Sequence, residues 1–350
     1  MNINEYLSES AGLVNREIEN FFPRKLSKKW LSSTLGKPSF ELDVDAAQAA
    51  IADPIWDFLD RGGKRWRPGL MLLACEAVGG KKRDAQKFCI IPELVHNGTI
   101  MVDDVEDNSS LRRGKKSTHL IFGVDVAVNA ANAMYYLPLA LVFNSKELKD
   151  STKARLYDVY SQEMLQLSMG QAMDIHWHRG NKNVSEKEYL QMCSYKTGSL
   201  ARMALKFGSI IGTGSAVQQA ALGDFGTSVG IAFQIQDDIL NLRPSKSWGK
   251  ALGDDINEGK RTLMVIHALP LLPDNKRKRL SAILAKQDNS KEEILEAIGL
   301  IEETGAMEFA ADYAARIVKK SWSRLDSLLT DSSAKKLLGE FAQYVIDRKI

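Results

Sequence analysis

The hydrophobic pattern along this chain has the period of an α-helix. Apolar residues recur three and four positions apart, as at Leu156, Val159, Tyr160, Met164 and Leu167, and this spacing puts them on one helical face. Runs in which apolar and polar residues alternate strictly, which are typical of strands, are hard to find. The pattern therefore predicts an all-α protein.

The same pattern locates elements near the N-terminus. The stretch to about Phe22 predicts one helix, and Gly36, Pro38 and Pro54 predict an irregular segment after it. No linker rich in proline, glycine and serine divides the central part of the chain. We therefore expect a single domain over residues 1–350, in which residues 1–50 form a peripheral helix and loop.

The longest apolar run extends from Val124 to Phe143. It is interrupted by the polar residues Asp125, Asn129 and Asn132 and by Pro138, so it predicts a buried helix rather than a membrane span. The N-terminus lacks a basic segment followed by an apolar core, which a secretory signal would have. We expect a cytoplasmic protein without a transmembrane segment.

Composition narrows the possible partners. The formal net charge of +3 over 350 residues is too small to indicate a nucleic-acid-binding protein, and no basic stripe is interleaved with aromatic residues. Cys75, Cys89 and Cys193 show no CxxC spacing and lie in apolar segments. They are typical of buried thiols in a reducing compartment, not of zinc ligands or disulfides.

Candidate chemistry begins with two acidic clusters. Asp103 to Asp107 follow one apolar helical stretch, and Asp237, Asp238 and Asn241 follow another. Residues four apart share a helical face, so Asp103 and Asp107 project together. Carboxylates crowded in this way need a positive partner, and ligands that are all oxygen favour Mg²⁺ bound to substrate phosphates. One such cluster would also suit a solvated helix face, but two copies beside basic motifs favour the metal.

Basic motifs accompany both clusters. Lys64, Arg65 and Arg67 lie on a glycine-rich loop before an apolar run, where the N-terminus of a helix favours anions. Pro68 predicts the first helical residue there, and it predicts extended geometry for Arg67. A solvated basic loop is the alternative for this segment.

Further cations follow each acidic cluster. Arg112 and Arg113 come just past the first cluster, so one could serve a metal-bound phosphate and the other a second anion. Lys196, Lys250 and Lys260 stand further on. This amount of positive charge indicates more phosphate than a single metal-bound diphosphate.

These motifs resemble those of the trans-isoprenyl diphosphate synthases, the family of the farnesyl and geranylgeranyl diphosphate synthases. The resemblance runs from about Asp57 to about Leu269 and is strongest to the eukaryote-type geranylgeranyl branch. One departure is Asn241, where the family usually has Asp, but that branch also accepts Asn. The matching residues are Gly63 to Pro68, His96, Asp103 to Asp107, Arg112 to Gly114, Gly170, Gln171, Asp174, Lys196 to Gly198, Gln234, Asp237, Asp238, Gly259 and Lys260.

The resemblance implies a fold and an activity. It implies a bundle of about ten core helices around a deep central cavity, usually in a homodimer. The activity would be Mg²⁺-dependent condensation of isopentenyl diphosphate with dimethylallyl, geranyl or farnesyl diphosphate, with about three Mg²⁺ ions in each active site. The metal ligands would be Asp103, Asp107 and Asp237.

The resemblance also implies roles for the other polar residues. Lys196 and Lys260 would act in catalysis with the metal ligands, and Gln171 and Asp174 would position substrate. His96 alone, in an apolar helix, would more often be a core residue, but its family position assigns it to isopentenyl diphosphate together with Lys64, Arg67 and Arg113. The allylic diphosphate would be bound by Arg112, Lys196, Thr197, Gln234, Lys250 and Lys260.

Product length depends on the helix before Asp103. Small Gly98 and Thr99 would leave a tail cavity open, so a product longer than farnesyl is expected, and Gly98→Phe should shorten it. Tyr135 and Tyr136, with Ser168 near them, are candidates for the floor of the cavity. We expect the C20 product, geranylgeranyl diphosphate; a product of C25 or more, or farnesyl diphosphate, is the alternative.

Two other functional classes remain open. A class I terpene cyclase also uses an aspartate-rich motif and Mg²⁺, but it needs no second diphosphate site. A non-catalytic subunit of a synthase would typically have lost one aspartate motif. The Lys64, Arg67 and Arg113 set argues against the first, and the presence of both motifs argues against the second.

Overall fold

The computed structural model describes residues 1–179, 183–243, 252–286 and 288–347, and their regular structure is almost entirely helical. Helices α1 to α10 are Ile3–Phe21, Lys28–Leu35, Val44–Ala47, Asp53–Leu59, Trp66–Ala77, Lys82–Gln86, Ile90–Glu106, Thr118–Phe122, Val124–Tyr136 and Ala140–Phe143. Helices α11 to α20 are Asp150–Arg179, Glu186–Lys196, Gly198–Ile211, Ala216–Leu242, Asp254–Asn257, Leu263–Leu271, Asp274–Ala285, Lys291–Glu302, Ala306–Asp326 and Ser333–Ile346.

Four short elements complete the described structure. A π-helical turn, Gln48–Ala52, precedes α4, and a 3₁₀ turn, Leu137–Leu139, joins α9 to α10. Strands β1 (Leu111–Arg112) and β2 (Lys115–Lys116) form an antiparallel hairpin in which Arg112 pairs with Lys115. The all-α prediction is confirmed.

The N-terminal helix forms as the sequence predicts. Asn2 accepts a hydrogen bond from the Glu5 backbone N–H, and the Glu5 side chain accepts one from the Asn2 N–H, so a capping box starts α1. Its buried residues recur at helical spacing: Ile3, Tyr6, Ser10, Val14 and Ile18. This stripe packs α1 against α5 in the core.

The segment after α1 is more ordered than the sequence predicts. Helices α2, α3 and α4 and the π-helical turn occupy most of it. Pro54 lies at the start of α4. Proline has no backbone N–H, and it is tolerated there because N–H groups in the first turn of a helix have no partner within the helix. Residues 36–43, which include Gly36 and Pro38, have no regular structure, as predicted. The prediction of an irregular segment was wrong for the helical pieces on either side, because they are too short for hydrophobic periodicity to reveal.

The apolar run from Val124 to Phe143 is helical but only partly buried. It is the one described stretch long and apolar enough to cross a membrane by length and composition, and 39% of its most apolar window is buried. Ala127, Ala130 and Met134 of α9 are buried, whereas Val124 and Tyr136 are exposed. The run therefore has one core face and one apolar outer face, which corrects the prediction of a buried helix.

The chain forms two compact units. The first comprises Met1–Tyr160, Met203–Gln219 and Thr330–Leu338, and the second comprises Ser161–Arg202, Ala220–Leu329 and Gly339–Ile350. In the first unit, α7 packs against α9 and α5, and α7 carries the first acidic cluster. In the second unit, α14 carries the second cluster, and α16 packs against α19.

Candidate functional site

The first acidic cluster ends α7. The Asp107 backbone N–H donates to the Asp103 carbonyl over 2.9 Å, so these residues lie one helical turn apart, as the sequence predicts. Both are half-buried, whereas Asp104 between them is 0% exposed. Asp103 and Asp107 therefore share a face, and Asp104 belongs to the interior.

A hairpin returns Arg112 to this cluster. Asn108 and Arg113 each have a φ of 51°, and Gly114 has a φ of 77°. These left-handed residues allow the tight turns that bring the chain back along the end of α7. Arg112 Nε donates to Asp104 Oδ1 over 2.8 Å. Burial raises the pKa of Asp104, and the hydrogen bond from Arg112 opposes that rise. The guanidinium predicted to bind the allylic diphosphate thus uses both Nε and Nη2 to hold an aspartate.

The basic loop enters α5 through a sharp turn. Gly62 and Gly63 have φ of 84° and 151°, and Arg65 has φ of 48°, after which α5 begins at Trp66. Arg67 lies in the first helical turn, with its guanidinium 4.3 Å from the centroid of the Trp66 ring. The extended geometry predicted for Arg67 was therefore wrong, because Pro68 is tolerated within a first turn. Lys64 is exposed on the loop.

Arg65 forms a buried ion pair that the sequence did not predict. Its Nη1 donates to Glu93 Oε1 over 2.7 Å, and both side chains are 3% exposed. Its Nε donates to Asn15 and its Nη2 to the Leu59 carbonyl. Arg65 is therefore committed to holding the loop against α1 and α7.

His96 lies among arginines. It is half-buried on α7, and its pKa is held well below the ordinary value by burial and then by Arg67, Arg113 and Arg65. The ring is therefore neutral near pH 7 and can donate one N–H. His96 therefore lies within electrostatic reach of Arg67 and Arg113, and the assignment of these three residues to isopentenyl diphosphate stays a prediction.

In the second unit, Lys196 ends α12 beside Asp174. Lys196 Nζ lies 2.5 Å from Asp174 Oδ2. A Cβ on Gly170 would lie only 2.4 Å from the Lys196 backbone nitrogen, so the glycine allows α11 to approach the end of α12. Gly170 and Asp174, one turn apart on α11, thus place Lys196.

A chain of hydrogen bonds leads from Thr197 into the second acidic cluster. Thr197 Oγ1 donates to Gln234 Oε1 over 2.9 Å, and Gln234 Nε2 donates to Asp238 Oδ1 over 2.8 Å. The Tyr189 hydroxyl donates to Asp238 Oδ2 over 2.7 Å. Burial, followed by the nearby charge of Asp255, raises the pKa of Asp238 to about 8. No local pattern marks Tyr189 as a site residue, since a tyrosine within a helix is usually part of the core.

Asp237 and Asn241 have different surroundings. Asp237 is half-buried, whereas Asn241 is 1% exposed. The Asn241 side-chain oxygen accepts from the Asp255 N–H over 3.2 Å, and its carbonyl accepts from the Gly253 N–H over 3.0 Å. Asn241 therefore holds the backbone that leads into α15.

Lys260 follows α15 and forms ion pairs with Asp255, over 3.3 Å, and with Glu258. Lys250, the other late lysine in the predicted site, lies outside the described residues.

The residues predicted to set the product length differ in how far they are buried. A Cβ on Gly98 would lie 2.9 Å from both the Ala131 carbonyl oxygen and the Tyr135 ring, so α9 occupies the space that the sequence analysis left open. Thr99 is half-buried, as is Tyr135, whereas Tyr136 is 68% exposed. Ser168, in the second unit, is exposed and donates to the Met164 carbonyl.

The acidic residues of each motif suit a hard divalent cation. Asp103 and Asp107 of the first unit supply carboxylate oxygens, the ligand type that Mg²⁺ prefers. Asp237 of the second unit supplies the same ligand type. Within the described ranges, no three His, Cys, Asp or Glu side chains are grouped as a ready-made metal site. Mg²⁺ that keeps several waters and binds substrate phosphate needs few protein ligands.

Comparison with known proteins agrees with this chemistry. The family model described as polyprenyl synthetase matches residues 48–301. A short chain isoprenyl diphosphate synthase of Methanothermobacter thermautotrophicus is 36% identical over 289 residues, which cover 82% of this chain and 87% of that protein. A geranylgeranyl diphosphate synthase of Methanosarcina mazei is 33% identical over 292 residues, covering 83% and 87% respectively.

The fold is likewise shared with a solved structure. The crystal structure of a geranylgeranyl pyrophosphate synthetase from Pyrococcus horikoshii superimposes with a TM-score of 0.86 at 31% identity, over 99% of each chain.

Proposed function

Because the chain belongs to the polyprenyl synthetase family, we propose that it condenses isopentenyl diphosphate with allylic diphosphates to give geranylgeranyl diphosphate. The allylic substrates would be dimethylallyl, geranyl and farnesyl diphosphate. Relatives named geranylgeranyl diphosphate synthase support the C20 product.

The observation that carries the proposal is the cationic cluster around His96. Arg67, Arg113 and the neutral His96 ring lie together beside the exposed Lys64 loop. Arginine forks and a helix N-terminus suit diphosphate oxygens. A second set, Lys196 and Lys260, accompanies the other aspartate motif. Two cationic sets fit two diphosphate substrates.

The residues then divide the reaction between them. Asp103, Asp107 and Asp237 would hold Mg²⁺, about three ions with substrate bound, which supplies Lewis-acid stabilisation of the departing diphosphate. Lys196 and Lys260, with Thr197, Gln234 and Lys250, would bind the allylic diphosphate, and Arg112 would reach it through Nη1. Breakage of the allylic C–O bond leaves a carbocation, whose charge these groups help to balance.

The second substrate must be placed against that cation. Lys64, Arg67, His96 and Arg113 would hold isopentenyl diphosphate so that its double bond attacks the cation and forms the new C–C bond. Holding both reactants in position is a major source of acceleration for such a step. The released diphosphate would take the proton that is then lost, so no side chain need act as a dedicated base.

The length of the tail cavity would set the product. Within the first unit, Thr99 on the Asp103 face and the half-buried Tyr135 are better floor candidates than Gly98, which packs on α9, or Tyr136, which is exposed. We expect Thr99→Phe to shorten the product from C20 toward C15. The small Ser168 is the feature that would favour C25 or longer.

Product analysis tests the proposal. Purified protein with Mg²⁺ and labelled isopentenyl diphosphate would receive each allylic diphosphate in turn, and the chains would be sized after dephosphorylation. A dominant C20 alcohol is expected, and none after chelation of the metal. A longer ladder would overturn the product assignment alone. Cyclised hydrocarbon, or turnover only with an added homologue, would overturn the activity.

We also propose that the protein works as a homodimer in the cytoplasm. Apolar side chains on α8 and α9 are exposed in the single chain, among them Leu120, Ile121 and Val124, and such a face is typical of subunit contacts. Cys75, Cys89 and Cys193 are buried free thiols, which suits a reducing compartment.

A further inference from the structure

Three arginines near Arg113 are held by carboxylates, whereas Arg113 is held by neutral groups. Arg61 pairs with Asp57 at 2.5 Å and Arg65 with Glu93 at 2.7 Å, and Arg112 pairs with Asp104. Over the described ranges, no carboxylate lies within ion-pair distance of Arg113. Its guanidinium is half-buried, and burial lowers its pKa to about 10, so it remains charged near pH 7.

Neutral acceptors hold the Arg113 guanidinium instead. Its Nη1 donates to the Gly62 carbonyl and, over 3.3 Å, to Asn97 Oδ1. The guanidinium carbon lies 5.1 Å from the centroid of the Phe58 ring, which adds a cation–π contact. These contacts fix the side chain without cancelling its charge.

Glu93 determines which way the Asn97 amide points. Asn97 is 0% exposed, and its Nδ2 donates to Glu93 Oε1 over 2.9 Å and to the Glu93 carbonyl over 2.7 Å. A carboxylate and a carbonyl can only accept hydrogen bonds, so they require the NH₂ side of the amide. The remaining oxygen must then face Arg113.

We propose that Asn97 is a positioning residue for the isopentenyl diphosphate site: its amide oxygen, oriented by Glu93, aligns Arg113 and leaves the full guanidinium charge to the substrate. An Asp at position 97 would align the guanidinium equally well but would neutralise it. The inference rests on the proposed function, because it takes Arg113 as a ligand of the second diphosphate.

The isosteric variant Asn97→Asp tests this role. The KM for isopentenyl diphosphate should rise roughly tenfold or more, the scale of one charge-assisted hydrogen bond. The kcat and the KM for farnesyl diphosphate should stay within about twofold of wild type. Calorimetric titration with isopentenyl diphosphate alone should show the same weakening without turnover. Asn275→Asp, an exposed change on α17, is the matched control and should alter none of these values.

A second destabilised variant separates positioning from folding. Glu163→Ala leaves Arg202 buried without its counter-ion but leaves Asn97 and Arg113 unchanged. We expect Glu163→Ala to lower the melting temperature at least as much as Asn97→Asp, while its KM for isopentenyl diphosphate stays within about twofold of wild type. The inference fails if the two variants raise that KM equally, or if Asn97→Asp leaves it unchanged. A wild-type protein that elongates no substrate would instead overturn the proposed function.

Discussion

Gly98 lies where α7 packs against α9, and its lack of a side chain is required by that packing. A Cβ there would lie 2.9 Å from the Ala131 carbonyl oxygen and 3.0 Å from the Met134 Cβ. Real Cβ atoms do not approach backbone oxygens so closely, so one of the helices would have to shift. The glycine therefore serves helix contact, and any effect of a larger residue on the tail cavity comes together with a structural cost.

We expect Gly98→Ala to lower the free energy of unfolding by about 1–3 kcal/mol, the usual cost of overpacking a core. Gly299 provides the matched control, because it lies within α18 and a Cβ there meets nothing within 4 Å. Gly299→Ala should stabilise by about 0.5–1 kcal/mol through helix propensity. Urea denaturation of both variants and of the wild type measures these changes in the free energy of unfolding. Equal effects of the two substitutions would contradict the packing argument.

The positions of single residues were predictable from the sequence where they depend on neighbours within one helical turn. Asp103 and Asp107 could be placed on one face because four residues make one turn. No role could be assigned to Glu93 or Asn97 from the sequence. The arginine that Glu93 binds, Arg65, lies 28 residues away along the chain, and the arginine that Asn97 binds, Arg113, lies 16 residues away. Nothing in the local sequence distinguishes such a residue from an ordinary polar position in an apolar helix.

Among the elements, one buried cluster joins three helices of the second unit. Arg202 of α13 donates through Nε to both oxygens of Glu163 on α11, over 2.8 and 2.7 Å. Its Nη1 donates to Thr227 of α14 over 2.8 Å. Glu163 is 0% exposed and Arg202 is 8% exposed. A buried charge pair of this kind is stable only while both partners are present.

We expect Glu163→Ala to cost about 3–5 kcal/mol, because it leaves the Arg202 charge buried without its counter-ion. The double variant Glu163→Leu with Arg202→Met should lose much less, since neither charge of this pair remains. Denaturation midpoints for the two proteins test the comparison. If the double variant is as unstable as Glu163→Ala, packing rather than charge would account for the loss.

Elements were predictable in proportion to their length. Long amphipathic helices such as α1 show a repeating buried stripe, and α1 was placed to within a residue or two. The short helices α2, α3 and α4 contain too few turns for a period to appear, and the helical start at Pro54 was taken for a break. The Arg202 cluster depends on contacts between helices, which periodicity cannot show.

For the whole molecule, the family and the all-α isoprenyl synthase fold were predicted correctly, whereas the similar proteins named above are of archaeal rather than eukaryote type. Motifs in the family's order, such as the Asp103 cluster followed by Arg112 and Lys196, identify the family without any knowledge of packing. The division of the described chain into two compact units had no counterpart in the sequence, because no linker marks it. The single domain expected from the sequence remains a prediction.

The apolar outer face of the first unit predicts that the chain associates with a second copy. Leu120, Ile121, Val124 and Tyr136 are each 46–68% exposed and lie on α8 and α9, which pack against each other. A group of exposed large apolar side chains is typical of a surface that binds a partner. We expect light scattering to give a mass of about twice the 38.9 kDa of one chain. A second copy would cover the face, since dimer interfaces are isologous and apolar at their centre.

Charge placed on this face should separate the copies. Ile121→Asp with Val124→Asp should shift the mass toward 38.9 kDa, because each dimer would bury four unpaired carboxylates at a cost of several kcal/mol. Leu295→Asp, on the exposed side of α18, is the control and should leave the mass unchanged. A wild-type mass of one chain at micromolar concentration would refute the dimer. An unchanged mass in the double variant would place the interface elsewhere, because a dimer that tolerates these charges cannot be held together by α8 and α9.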